Sequence, residues 1–266
     1  MRTVINGISL NYEITGEGKA LVLTHGLGGE LGNWRNVVPD LARSYRVMTW
    51  DVRGFGQSDK PEGEYSAGLF AEDLHRLLAR LGIARVYLLG HSMGGVIAQR
   101  FALDYPQQVE ALILVSTSSE VGPRATAAWE DRIRGIEEKG MEGITPFAGW
   151  AYAPEFAQAH PEAVEERLRV VLRNDPQAYI RATRAVSSYN YTPELARIGC
   201  PTLILQGDKD IITPPGGSVI MNRNIPGSRL KIFKDCGHML PSEKEKEFVE
   251  AVLEFLGNLP GSQEHK

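Results

Sequence analysis

The stretch Leu88–Gln99, LLGHSMGGVIAQ, runs an apolar segment into a serine held between glycines and follows it at once with a helical pattern. Gly90-His91-Ser92-Met93-Gly94 fits G-x-S-x-G. Glycines at such a corner cost backbone entropy, so a corner that needs them implies a use for it. A strand entering and a helix leaving would throw the Ser92 hydroxyl clear of the sheet, as a nucleophile elbow does. Val96, Ile97, Phe101 and Leu103 give the predicted helix, Met93–Tyr105, one broad buried face.

Around this corner the same alternation repeats. ALVLTHG (20–26), RVMTWDVRG (46–54), ARVYLLGHS (84–92), VEALILVSTS (109–118), PTLILQGD (201–208) and SRLKIFKDCGH (228–238) read as strands. Helical patterns at 67–81 and 243–256 join the one after Ser92. Continuously apolar strands separated by helices imply a mostly parallel sheet covered on both faces, an α/β fold. TVINGISLNYEITG at the start reads as an antiparallel hairpin turning at Asn6-Gly7. From Glu120 to Thr192 the alternation stops, and TAAWEDRIRGIEEKG and PEAVEERLRVVLRND read as amphipathic helices. The expected organisation is a core of residues 1–119 and 193–266 with a helical cap inserted at 120–192. Because the insertion follows a strand, it should lie over the carboxyl edge of the sheet, where open α/β sheets bind ligands.

Composition narrows the function classes. The formal net charge is −4 and no basic run occurs, which disfavours nucleic acid and anionic membranes as partners. Cys200 and Cys236 read as free thiols. The first residues lack an apolar signal core and no stretch approaches the length of a membrane span, so a soluble, cytoplasmic protein is expected. No zinc-type ligand cluster or phosphate-cradling loop is present in the sequence, so neither a metal nor a cofactor is expected.

A serine hydroxyl is a weak nucleophile until a base takes its proton. His238, in KDCGHMLPSE after the last predicted strand, hangs where an imidazole can reach over the sheet edge. A base of this kind needs a carboxylate to set its tautomer, and Asp208, Asp210 and Asp235 are all available. For the oxyanion of the tetrahedral intermediate, the N–H of Met93 follows the nucleophile directly. The loop THGLGGELGNW (24–34) offers that of Leu27.

Taken together, HGLGG, DVRGFGQSD, GHSMGG, GDKDIITPP and GHMLPSEKEKEF, in this order over about residues 3–257, resemble the α/β-hydrolase superfamily. Within it the cap segment WEDRIRGIEEKGMEGI is similar to 3-oxoadipate enol-lactonases and related carboxylesterases. The resemblance selects Asp210 as the acid, giving a triad of Ser92, Asp210 and His238, and makes Asp51 and Arg53 scaffold. It implies a serine hydrolase acting on a small-molecule ester, with an enol-lactone as the alternative. C–C bond hydrolysis, perhydrolysis and non-catalytic ligand reception are further possibilities on the same frame. Trp129, Phe147, Trp150 and Tyr152 are candidates for the substrate pocket. The cap arginines Arg132, Arg181 and Arg184 read as solvated faces of amphipathic helices, so the expected substrates are neutral, and the compact cap over a largely apolar site makes short chains the expectation.

Overall fold

The computed structural model describes residues 1–260, with only the backbone described at residues 124 and 146–148. In chain order the strands and helices are β1 (Arg2–Ile5), β2 (Ile8–Thr15), β3 (Ala20–Thr24), α1 (Val38–Leu41), β4 (Arg46–Trp50), α2 (Ala67–Arg80), β5 (Val86–His91), α3 (Met93–Asp104) and β6 (Val109–Val115). Then come α4 (Pro123–Lys139), α5 (Pro154–Ala159), α6 (Pro161–Leu172), α7 (Pro176–Ala185), β7 (Thr202–Gly207), α8 (Pro215–Asn224), β8 (Arg229–Phe233), α9 (Leu240–Glu243) and α10 (Glu245–Gly257).

The eight strands form one sheet in the order β1-β2-β4-β3-β5-β6-β7-β8. The two pairs involving β2 are antiparallel and the others parallel. The β1–β2 hairpin turns at Asn6 and Gly7, both at positive φ, which only a primed two-residue turn uses and Asn-Gly accommodates. Successive strand residues serve opposite core layers. Val22, Met48, Leu88 and Leu112 pack with α2 and α3 residues such as Phe70, Leu74 and Phe101. Leu21, Leu23, Leu89 and Ile113 pack with Phe248, Val252 and Phe255 of α10. This two-faced burial explains why the strands read as continuous apolar runs.

Strand β3 lies between β4 and β5, so the winding direction reverses there. The carboxyl edge of the sheet at such a switch point is where doubly wound sheets hold ligands. Between β6 and β7 the chain leaves the sheet and forms α4–α7. The two legs of this excursion pair at its base: Val121 N–H donates to Tyr189 O at 3.1 Å and Tyr191 N–H to Ser119 O at 2.7 Å. The antiparallel bridge Glu120–Asn190 completes the neck. No β-like run signals it in the sequence, because each leg is only a few residues long. The helix read as 243–256 begins instead at Glu245, after a break at Lys244, since Glu243 turns its side chain inward.

Candidate active site

Ser92 sits between β5 and α3 at φ 53°, ψ −118°, a region that non-glycine residues rarely adopt. The corner persists because its surroundings leave no alternative. A Cβ on Gly90 would lie 2.1 Å from Gly94 O, and one on Gly94 would lie 2.1 Å from Thr24 O. Helix α3 therefore packs directly on the end of β3, and the loop leaving β3 passes beside the serine. A Cβ on Gly26 would stand 3.1 Å from Ser92 Cβ. That loop is pinned by His25, whose Nδ1–H donates to Gly26 O (2.8 Å) while its Nε2 accepts from Val52 N–H (3.0 Å). Burial lowers the His25 pKa, consistent with the neutral ring these two bonds require.

Asp210 and His238 meet after β7 and β8. His238 Nδ1 stands 2.8 Å from Asp210 Oδ2, and both side chains are buried. Four further donors surround the carboxylate: Ile212 N–H and Thr213 N–H on Oδ1, each at 2.9 Å, and Thr213 Oγ1 (2.7 Å) and Gln206 Nε2 (3.1 Å) on Oδ2. Burial alone would raise the Asp210 carboxyl. The His238 charge and hydrogen bond, with those from Thr213, outweigh it and hold the group below the usual carboxylate range. Asp208 and Asp235 are exposed, and Asp208 accepts only the distant Cys236 N–H at 3.2 Å. Thr213 and Gln206 went unread in the sequence, although a threonine three residues after an aspartate is a recognisable turn pattern.

His91 turns beneath the His238 loop and donates from Nε2 to His238 O at 2.8 Å. Burial and the neighbouring His238 lower its pKa to about 3. Asp51 takes N–H bonds from Leu31 (2.6 Å) and Gln57 (2.8 Å) plus the Asn11 amide (2.8 Å). Arg53 makes a two-point buried pair with Asp73 at 2.7 and 2.8 Å. Asp51 thus ties together the loops at 31 and 57, and Arg53 ties the loop after β4 to α2. Cys200 and Cys236 are free thiols.

Two small cavities flank Ser92. One, of about 40 Å³, is shared by Ser92, His238, Leu27, Trp129, Arg132 and Arg167 among others. The other, of about 60 Å³, touches Ser92, Leu27, Met93, Val96, Trp129 and Tyr189 and is more apolar. Trp129 thus borders both. Tyr152 faces a separate groove of about 490 Å³ between α5–α6 and the loop at 30–36. Trp150 is half exposed and lines none of these spaces. The side chain of Phe147 lies outside the described residues.

Of the arginines read as solvated, Arg132 departs from that reading. Arg184 pairs with Glu137 on the surface at 3.2 Å. Arg132, however, stacks 4.8 Å over the Trp129 ring and borders, with Tyr179, the cavity that His238 also borders. Arg167, unnoticed in the sequence, borders the same cavity and is half-buried. No carboxylate among the described residues lies within ion-pair distance of it. The signal was present: Arg167 stands four residues after Ala163 and four before Val171, on the apolar stripe of α6.

The sequence profile described as alpha/beta hydrolase fold matches residues 19–245. A 3-oxoadipate enol-lactonase from Acinetobacter baylyi is 28% identical over 253 residues, covering 92% of this chain and 93% of the relative. A 2-hydroxy-6-oxo-2,4-heptadienoate hydrolase from Pseudomonas putida is 30% identical over 266 residues, covering 94% and 93%. Among solved structures, a thermophilic esterase from Thermogutta terrifontis with malate bound superimposes with a TM-score of 0.89 at 30% identity, covering 96% of each chain. A serine elbow at the switch point of this sheet, and a match spanning most of the chain, lead to one conclusion: the chain belongs to the α/β-hydrolase family.

Proposed function

We propose that this protein is a serine hydrolase that cleaves small carboxylic esters, lactones included, through an acyl-enzyme. The observation that carries the reading is the 2.8 Å His238–Asp210 pair, whose histidine borders the cavity that Ser92 also borders. Ser92 Oγ attacks the carbonyl carbon while His238 Nε2 takes its proton. Asp210 holds Nδ1 protonated and stabilises the imidazolium. Met93 N–H, at the start of α3 where no intrahelical acceptor exists, and Leu27 N–H receive the oxyanion. His238 then protonates the leaving oxygen. With the same base, water attacks the acyl-enzyme and frees the acid. Neither step calls for a metal or cofactor.

A second, narrower reading is a carboxylate-bearing ester or lactone, and Arg167 favours it. The leaving oxygen must lie within reach of His238, so the leaving group occupies the cavity bordered by His238, Arg132 and Arg167. A guanidinium there without a protein carboxylate suits an anionic substituent. The malate held by the Thermogutta esterase and the substrate named for the Acinetobacter enzyme agree with it. The acyl group would then fill the more apolar space of about 60 Å³, roughly two water-sized groups, so short acyl chains are expected.

The test is a panel of p-nitrophenyl esters of graded acyl length together with neutral and anionic lactones. Ser92→Ala should abolish turnover while leaving the fold intact; a variant with near wild-type rates would defeat the triad reading. Labelling of the protein without turnover would mark a ligand receptor instead. Arg167→Ala should raise KM for an anionic substrate about 10- to 100-fold, the loss of one charge-assisted hydrogen bond, and leave neutral esters unchanged. Equal effects on both substrates would remove the anionic reading.

A further inference from the structure

Glu243 is a buried carboxylate that the reaction above leaves without a task. Its Oε2 accepts N–H bonds from Gly237 (2.8 Å) and Ala153 (2.9 Å), and its Oε1 accepts that of Met239 (3.1 Å). Gly237 and Met239 are the two neighbours of His238. Ala153 belongs to the excursion between β6 and β7, just before α5. A second pair of bonds joins the same two segments: His238 N–H and Met239 N–H both donate to Ala151 O at 3.0 Å. The contact is tight, since a Cβ on Gly237 would lie 2.4 Å from Ala153 N. Among the described residues no cation lies within ion-pair distance of Glu243.

We propose that Glu243 is a positioning residue that clamps the His238 loop to the segment Ala151–Ala153 and so sets the imidazole against Asp210 and Ser92. The proposal rests on His238 being the base. Three donors and no acceptor face the carboxylate, so its ionised form leaves no group unpaired, whereas a protonated one would leave its own O–H without an acceptor. A buried charge is costly unless fully hydrogen-bonded, and a site that spends this arrangement on the two neighbours of one histidine is fixing that histidine. The titratable groups around Glu243 are Asp210, Cys236 and Tyr152, and those facing His238 are Asp210 and His91, whose ring stands 4.9 Å from it. Burial raises the Glu243 pKa and the three amide bonds oppose the rise.

Glu243→Gln keeps the shape and removes one acceptor. With its oxygen at Oε2, the amide NH₂ is set against Met239 N–H, which keeps its bond to Ala151 O but is repelled from the side chain that held it; with the opposite orientation it confronts Gly237 and Ala153. Either loosens the loop that carries His238. The measurement is kcat and KM for a short p-nitrophenyl ester as a function of pH, with circular dichroism to confirm folding. Glu243→Gln should lose kcat about 10- to 100-fold, the effect of an ångström-scale misplacement, with KM nearly unchanged. The acid limb of the profile should move to lower pH, because a loosened His238–Asp210 pair stabilises the imidazolium less. Glu243→Asp, which keeps the charge but reaches less far, should fall between the two.

A folded Glu243→Gln variant with wild-type kcat overturns the proposal. So does one that loses kcat with the acid limb unmoved, which marks general loosening. If Glu243→Gln does not fold, Ala153→Pro carries the test. The φ of −60° at Ala153 fits a proline ring, and Tyr152 is extended, as a residue before proline should be. The ring replaces the N–H that Glu243 accepts and displaces the carboxylate; the same kcat loss and acid-limb shift are expected, and wild-type behaviour overturns the proposal. Ser92→Ala in the same assay separates the two layers. Activity surviving there refutes the triad, whereas an inactive Ser92→Ala beside an unaffected Glu243→Gln refutes only the clamp.

Discussion

Replacing Asp210 with asparagine removes one charge and turns one acceptor into a donor, and the surrounding donors dictate the response. In one orientation the new amide oxygen keeps the Ile212 and Thr213 N–H bonds now made to Oδ1. The NH₂ then faces His238 Nδ1, Thr213 Oγ1 and Gln206 Nε2. The threonine hydroxyl can reverse and accept. The Gln206 amide retains its bonds to the carbonyls of Gly207 and Thr213. His238 can accept at Nδ1 by moving its proton to Nε2. The opposite orientation strands two backbone N–H groups at about 1–3 kcal/mol each, so the first should prevail. It leaves a folded protein whose Nε2 is already protonated and cannot accept from Ser92. We expect kcat to fall about 10⁴-fold, the scale for a mis-set triad tautomer and equivalent to about 5 kcal/mol of barrier. Asp208→Asn and Asp235→Asn, both at exposed sites, should change activity only slightly. Ester hydrolysis by the three purified variants, with circular dichroism for folding, decides the matter. A folded Asp210→Asn variant that keeps more than a tenth of wild-type kcat, or a severe Asp208→Asn, would refute the reasoning.

Three further outcomes follow from the elbow and its supports. Gly94→Ala drives a Cβ into Thr24 O at 2.1 Å and should cost about 3 kcal/mol or more, a fall in Tm of about 6–12 °C by calorimetry; an unchanged Tm would show that α3 can move off β3. Ser92→Gly removes hydrolysis but relieves the positive φ at that residue, so its Tm should exceed wild type by the equivalent of about 1–2 kcal/mol, and a lower Tm would deny the strain. His91, held near pKa 3 in the fold, takes up a proton in the unfolded chain near its ordinary 6.5. The unfolded state therefore binds more protons between these values, and stability should decline as pH falls from 6.5 toward 3. Thermal melts across that range should show a shallower decline for His91→Gln; an identical slope would assign the loss to other groups, of which buried His25 is the first candidate.

The backbone at the elbow was legible because it constrains residue type locally. Gly90 and Gly94 are glycines because a Cβ at either would strike backbone, and Asn6-Gly7 marks a turn that needs positive φ at both residues. Such demands leave their imprint within a few positions, as does the apolar pattern of strands covered on both faces. The pattern of residues alone left Asp208, Asp210 and Asp235 level as partners for His238, and it took either a family resemblance or the observed cage of donors to separate them. In sequence, Arg167 is one residue of an amphipathic helical stretch and Glu243 the first of a helical pattern at 243–256. What sets them apart is what packs against them: for Arg167 a cavity shared with Ser92 and His238, for Glu243 the amides of residues up to 90 positions away. A side chain's neighbours across such separations exert no local pressure on the pattern around it, so the corner that raises the serine is written in sequence, and the charges arranged around it are decided only when the chain has folded.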